Sequence, residues 1–219
     1  MEETKIPSVS ICIPCYRTVD ADVMNAIFHL DLSGLNVNIR LLKNLDVATA
    51  RNIFAKSVKS DYILFIDSDV VVPSDALKKL MAADKDIIGS LCFRRKWPYP
   101  PLILFKNPNF KDEKDKYMFS LDYPSNSVVE CDAIGTGCAL IKTEVFKKIP
   151  YPWFRHVDTT EDIFFCERAI ENGFKIFIDT GVRPAHIDEI YITEMEHLQA
   201  KREMMLFQRK ESGDKSYLE

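Results

Sequence analysis

Asp61-Tyr62-Ile63-Leu64-Phe65-Ile66-Asp67-Ser68-Asp69-Val70 is the stretch on which the reading of this chain turns. Four apolar residues, Ile63 to Ile66, run straight into two carboxylates one residue apart. An uninterrupted apolar run of this kind suits a strand buried on both faces, as inside a parallel sheet. Strand side chains alternate, so Asp67 and Asp69 are expected to leave the strand end on the same side. In open α/β sheets, ligands bind in the crevice beyond the carboxyl ends of the strands. Two hard oxygen donors there suit Mg²⁺ or Mn²⁺ carrying a substrate phosphate. The plainer reading is an acidic turn after a core strand. The triplet alone is short and common, and the buried run before it favours the metal reading.

Upstream, Val9-Ser10-Ile11-Cys12-Ile13-Pro14 reads as a first strand, followed by the loop Cys15-Tyr16-Arg17-Thr18. Asp20 to Leu30 carries Val23, Ala26, Ile27 and Leu30 at helical spacing. Ser33-Gly34 breaks the chain, and Val37 to Leu42 alternates as a second strand. Asp46 caps a helix carrying Val47, Ala50, Phe54 and Val58, with Arg51 and Asn52 set off that stripe. Arg51 reads either as a solvated helix charge or as a two-pronged phosphate contact beside the acidic strand.

Downstream, Ser74 opens a helix with Ala76, Leu77, Leu80 and Met81, and Asp86 to Leu91 is a short strand. Strand, helix, strand, helix, strand argues for a parallel α/β sheet. Phe93 to Ser127 breaks the rhythm with five prolines, many aromatics and the opening Arg94-Arg95-Lys96-Trp97. A long irregular stretch inside a compact domain is more often functional than decorative. Its aromatics read equally as sugar-stacking platforms or as packing. Order returns at Val128 to Ile134. Gly135-Thr136-Gly137 then allows close backbone approach, and Cys138 to Ile141 is a further strand. Thr160-Glu161-Asp162 opens a helix that Gly173 ends, so the two acids serve either the helix dipole or chemistry. Phe174 to Asp179 is the last strand, and His186 lies on the loop after it. The tail from Glu189 carries Tyr191, Met195, Leu198 and Met205 at roughly heptad spacing.

Length and composition bound the rest. The 219 residues suit one large domain, and 47% hydrophobic content allows a sizeable core. Net charge −4, from 29 basic and 33 acidic residues, argues against a general nucleic-acid binder. No apolar run approaches a membrane span, and Met1-Glu2-Glu3-Thr4-Lys5 is not a signal peptide. A cytoplasmic protein is therefore expected. Its six cysteines read as reduced, buried packing residues, Cys12 and Cys15 included.

Taken in order, Ile13-Pro14-Cys15-Tyr16-Arg17, Ala50-Arg51-Asn52, Asp67-Ser68-Asp69, Gly135-Thr136-Gly137, Glu161-Asp162 and His186 resemble the motifs of nucleotide-sugar-dependent glycosyltransferases of the GT-A fold, close to family 2. The resemblance covers about residues 8 to 190. It implies a mostly parallel, Rossmann-like central sheet flanked by helices, with a domain over residues 1–188. A C-terminal helical tail, 189–219, would pack on the domain or pair with a partner, as in a homodimer. It implies transfer of a sugar, of the hexosyltransferase type, from a UDP- or GDP-sugar to a hydroxyl of a glycan, glycoprotein or small acceptor. Pro14, Tyr16 and Arg17 would line the nucleotide pocket, and Arg51 would touch the nucleotide or diphosphate. Asp67 would lie by the ribose or a metal-bound water. Asp69 would bind Mn²⁺ or Mg²⁺, with His186 as a further metal or diphosphate contact. Gly135, Thr136 and Gly137 would pass under the donor sugar. Asp162 would be the general base of an inverting reaction, with Glu161 next in line. The place after the second strand, where many family members carry a base-reading Asp, holds Leu41-Leu42-Lys43-Asn44-Leu45-Asp46, which leaves uridine and guanosine both open.

Two other classes compete. A haloacid-dehalogenase-like phosphatase carries an apolar strand followed by Asp-x-Asp-x-Val, which Phe65 to Val71 matches, with Ser90 as a second motif. Against it, two strands precede the motif and the later acids open a helix rather than end a strand. A non-catalytic nucleotide-sugar binding module would have no need of both Asp69 and Asp162.

Overall fold

A computed structural model describes residues 6–112, 115–157, 159–188 and 191–211. The elements follow in the order β1 (Ser8–Cys15), α1 (Ala21–Phe28), β2 (Asn36–Lys43), α2 (Val47–Ser57), β3 (Tyr62–Ile66), β4 (Val70–Val71), α3 (Ala76–Ala82) and β5 (Ile87–Ser90). The irregular stretch then holds β6 (Ile103–Lys106) and β7 (Tyr117–Phe119). The chain continues through β8 (Val128–Cys131), β9 (Ala133–Ile134), β10 (Cys138–Lys142), α4 (Thr143–Lys148) and α5 (Glu161–Glu171). It ends with β11 (Ile176–Asp179), β12 (Ala185–Ile187), β13 (Tyr191–Ile192) and α6 (Glu194–Glu211).

The central sheet has strand order β2-β1-β3-β10-β5-β11-β8. Strands β2, β1, β3, β5 and β11 run one way, and β10 and β8 run against them. The sheet is therefore mostly parallel, as expected for a mixed α/β fold. Strand β3 sits inside it with Ile63, Leu64, Phe65 and Ile66 all at 0% exposure. Its alternation feeds two cores. Ile63 and Phe65 join Phe54 of α2, Phe146 of α4 and Phe165 of α5. Leu64 and Ile66 join Val23 and Ile27 of α1 and Leu77 and Leu80 of α3. Each such burial contributes about 1.5–3 kcal/mol of transfer free energy, which is why a four-residue apolar run anchors the sheet.

Strand β10 departs from the simple strand–helix alternation. Only the turn Gly135-Thr136-Gly137 separates β9 from β10, and β10 enters antiparallel with Cys138 opposite Ile66. That direction carries the glycine turn to the carboxyl end of β3. The stretch Phe93 to Ser127 is likewise more ordered than its prolines suggest: β6 and β7 pair, and β6 also pairs with β9, in a separate sheet of three strands.

All six cysteines are free and buried, as read from composition. In the tail, β13 pairs with β12. Helix α6 packs inward through His197 and Ala200, and Met195, Leu198 and Met205 face outward. The heptad spacing thus marks the exposed side of α6, because the contact with the domain is made by a small residue and an imidazole. Residues 189, 190 and 212–219 of the expected tail lie outside the described residues. No helix among the described residues is long and apolar enough to cross a membrane.

Candidate active site

Strand β3 ends at Ile66, and Asp67-Ser68-Asp69 forms a turn closed by Val70 N–H donating to the Asp67 carbonyl at 3.2 Å. Strand alternation stops there, so the two carboxylates take different partners. Asp67 N–H donates to the Gly137 carbonyl at 2.8 Å. Its Oδ1 accepts from Arg51 Nη2 at 2.7 Å. A Cβ on Gly137 would sit 3.2 Å from Asp67 Oδ2 and 3.3 Å from Val70 Cγ2, so the absent side chain is what lets the turn approach the carboxylate.

Asp69 meets a histidine from the far end of the chain. Strand β12 pairs antiparallel with β4, His186 opposite Val70, and Ile187 N–H donates to the Asp69 carbonyl at 2.8 Å. His186 Nε2 then lies 3.6 Å from Asp69 Oδ1. His186 Nδ1 lies 3.0 Å from the Phe93 carbonyl. A carbonyl only accepts, so Nδ1 carries the proton and Nε2 faces the carboxylate. Burial opposes charge on both groups. For Asp69, His186 and then Arg95 outweigh it and hold the carboxyl below its usual value. For His186, the contacts to Asp69 and to the Phe93 carbonyl outweigh burial and raise it above its usual value. Asp69 Oδ2 accepts from Arg95 Nη1 at 2.9 Å.

Arg51 is not the solvated helix charge of the plainer reading, and both prongs of its guanidinium are on carboxylates. Its side chain is 1% exposed and bridges two elements, giving Nη2 to Asp67 and Nη1 to Glu161 Oε1 at 2.6 Å. Phe65 and Phe154 flank the guanidinium, each ring centroid 5.8 Å from Cζ. Burial works against this charge and the two carboxylates more than offset it. The neighbouring Asn52 accepts from Trp153 and Phe154 N–H and donates to the Phe154 carbonyl, clamping the aromatic turn against α2. Glu161 is thereby turned to Arg51, with His156 Nδ1 3.3 Å from its other oxygen. Burial raises the Glu161 carboxyl above its usual value despite the charge of Arg51.

Two cavities open on this junction. One, of about 440 Å³, is lined by Pro14, Tyr16, Asp46, Asp67, Asp69 and Glu161. Asp46 caps α2 there, accepting from Thr49 N–H at 3.0 Å. Arg17 is exposed beside it, its guanidinium 5.8 Å from the Tyr16 ring centroid. The other, of about 590 Å³, is lined by Tyr117, Phe119, Gly135, Asp162 and His186. Arg95 lines both. Asp162 Oδ1 accepts from Thr160 Oγ1 and from Ile163 N–H. Of the glycine turn, Gly135 lines this cavity, and Thr136 is buried at 0% exposure, away from it. A Cβ on Gly135 would fall 2.6 Å from Leu102 Cδ1.

The family pattern described as Glycosyl transferase family 2 matches residues 21–149. The chain belongs to glycosyl transferase family 2. It is a glycosyltransferase with the GT-A architecture, and the phosphatase reading falls with that membership. Its Asp67 Oδ1 is in any case held by Arg51. The family match takes in Arg51, Asp67, Asp69 and the glycine turn; it begins after Pro14, Tyr16 and Arg17 and ends before Glu161, Asp162 and His186, so those six rest on geometry. Among solved structures, A197 from STIV superposes at TM-score 0.59 with 19% identity, over 85% of this chain and 90% of that one. S. aureus TarS 1-349 in complex with UDP-GlcNAc gives 0.49 and 14% identity, over 80% of this chain and 57% of that one. At 19% identity the likeness to A197 speaks for the fold alone. No curated protein sequence matches the chain.

Family 2 enzymes generally use a divalent cation, and the residues present fit one. Among the described residues no three His, Cys, Asp or Glu side chains converge as a complete metal site. Mg²⁺ and Mn²⁺ on a diphosphate need less, since one or two protein ligands plus phosphate oxygens and water suffice. Asp69 and His186 form such a pair, and the Phe93 carbonyl holds the imidazole as the second sphere of a metal-bound histidine does. Asp67, expected as a metal ligand, lines the cavity with Oδ1 on Arg51 instead. Arg95 and His156 carried no role in the sequence reading. The basic triplet Arg94-Arg95-Lys96 at the exit of a buried strand was the available signal for the first.

Proposed function

We propose that this family 2 enzyme transfers a sugar from a nucleoside diphosphate sugar to an acceptor hydroxyl by a metal-dependent inverting displacement. The observation that carries the reading is the meeting of Asp69, His186 and Arg95 between a groove holding Tyr16 and Asp67 and a cavity holding Asp162. The base of the donor lies against Tyr16 and Arg17, with Asp46 available to read it and Asp67 beside the ribose. Asp69 and His186 would hold Mn²⁺ or Mg²⁺, which when bound would neutralise charge on the diphosphate. The sugar lies by Gly135, and the acceptor enters between Tyr117 and Phe119.

The acceptor oxygen attacks the anomeric carbon. The bond from that carbon to the β-phosphate oxygen breaks, and its electron pair stays on the leaving diphosphate. The proton of the acceptor hydroxyl passes to Asp162. Glu161, held by Arg51, supports this assignment by being turned away from the acceptor cavity. One base and one leaving-group site meet the needs of inversion. The outward Met195, Leu198 and Met205 of α6 support docking of a second copy on that helix.

Thermal denaturation with UDP, GDP, CDP and TDP, each with and without Mn²⁺, tests the donor site. A ligand at 100 times its Kd stabilises by about 2.7 kcal/mol, or roughly 5–11 °C for a domain of this size. One nucleotide should give that shift and need the metal. No shift with any nucleotide, or equal shifts without metal, refutes the donor site. Binding without sugar transfer would instead establish the non-catalytic module.

A further inference from the structure

Arg95 stands where two requirements of the reaction meet, and nothing in the fold demands it. Its guanidinium donates to Asp69 Oδ2 at 2.9 Å, while His186 faces the other oxygen at 3.6 Å. Both oxygens of Asp69 are therefore engaged by cationic or proton-bearing side chains. Yet the Arg95 side chain is 51% exposed, unlike the 1% exposed Arg51 on Asp67. It also lines both the nucleotide groove and the acceptor cavity, so its reach spans the place where the diphosphate must cross from one to the other.

The backbone of the segment that carries it is tied, Arg94 N–H to the Pro100 carbonyl and Tyr99 N–H to the Lys96 carbonyl, both at 2.9 Å, and its side chains project outward. Before it, the Phe93 carbonyl accepts from His186, and the Phe93 ring stacks on His197 of α6 at 5.1 Å. After it, the Tyr99 carbonyl lies 3.0 Å from His197 Nδ1. Arg95 and Trp97 between these ties are exposed. The side chain is free to leave Asp69 without disturbing packed structure.

We infer that Arg95 is a displaceable counter-ion: it holds the Asp69 carboxylate until the donor arrives with its metal, then moves to the diphosphate and stabilises the leaving group. The inference rests on the donor-site reading and adds a residue to it. The chemistry is consistent on both sides. A half-exposed ion pair is weak, about 0.2–1 kcal/mol, so a divalent cation displaces it readily. A guanidinium engages a phosphate through two parallel N–H groups, which a cation held on one side of the diphosphate leaves room for. Arg95 then takes up part of the charge that builds on the β-phosphate oxygen as the sugar bond breaks, a role a bound cation would share.

Two binding measurements on the intact protein test this, with Mn²⁺ alone and with inorganic pyrophosphate as the probe. Free Mn²⁺ is followed by electron paramagnetic resonance, and pyrophosphate by calorimetry at saturating Mn²⁺. Arg95→Gln should bind Mn²⁺ about two- to fivefold more tightly than the unsubstituted protein, because a competitor is gone. It should bind pyrophosphate about tenfold more weakly, because a charged donor is gone. Arg95→Lys should keep the competition and recover part of the pyrophosphate affinity. Unchanged Mn²⁺ and pyrophosphate affinities in Arg95→Gln refute the proposal, and so does a loss of both together. If the unsubstituted protein itself shows no Mn²⁺-dependent pyrophosphate binding, the donor-site reading fails and Arg95's role with it. An unchanged melting temperature in both variants marks the effects as local.

Discussion

Replacing Arg51 with methionine isolates what the buried guanidinium does. The change keeps an unbranched apolar stem as far as the Nε position, vacates the guanidinium position flanked by Phe65 and Phe154, and deletes two ion pairs of 2.6 and 2.7 Å. Removing one partner of a buried pair costs about 3–5 kcal/mol, because a charge is left without compensation. Glu161 is 11% exposed and Asp67 28%, so water takes over part of the second contact. A loss near the low end, about 3 kcal/mol, follows. For a domain of this length that lowers the melting temperature by roughly 6–12 °C.

The loss should also depend on pH, with a definite sign. The Glu161 carboxyl is already raised above its usual 4.5 by burial. The native state therefore binds that proton more tightly than the unfolded chain, and stability falls as pH rises from 4.5 through the folded value. Without Arg51 the rise is larger, and each further unit costs about 1.4 kcal/mol once pH exceeds both values. Urea denaturation of Arg51→Met should thus show a larger deficit at pH 8 than at pH 5. The triple variant Arg51→Met, Glu161→Gln, Asp67→Asn should recover most of it, since an uncharged cluster leaves no orphan. A deficit below about 1 kcal/mol at pH 8, or the same deficit at pH 5, would show that the pair is hydrated and the reasoning wrong.

Asp162→Asn should keep donor binding and lose transfer by about 10²-fold or more; near-normal turnover would move the base to Glu161. Gly137→Ala places a methyl 3.2 Å from Asp67 Oδ2 and 3.3 Å from Val70 Cγ2, and should weaken nucleotide binding with a small loss of stability, checked by calorimetry and thermal melting. In the metal-free protein, His186 is raised above 6.5 by its contact with Asp69, so its contribution is fully present below pH 6.5 and fades as pH rises through the folded value. His186→Gln should therefore be less stable than the parent at pH 6 and converge with it toward pH 9; a constant gap across that range would assign the residue a packing role alone.

Much of the site was legible because it is local. The apolar run Ile63 to Ile66 needs only alternation to be read as a doubly buried strand, and it lies at 0% exposure. Asp46 three residues before Thr49 is a cap by spacing, and the bond is there. The acids at 161 and 162 open their helix as read. Adjacent acids cannot be told apart by sequence, however. Their side chains diverge by a third of a turn, and which one meets a cation depends on α2, distant in the chain.

What the sequence by itself determined is the set of elements and their apolar faces: a mostly parallel sheet, its acidic strand end and the order of the motifs. These follow from periodicity and capping, which act over a few residues. The tertiary structure alone decided that β10 enters antiparallel and brings the glycine turn to β3. It alone carried His186 onto Asp69 through the β12–β4 pairing, buried Arg51 between two carboxylates, and set Arg95 on the other oxygen of Asp69. Each of these is a contact between residues far apart in sequence, and its geometry comes from how packed elements exclude one another rather than from any local preference.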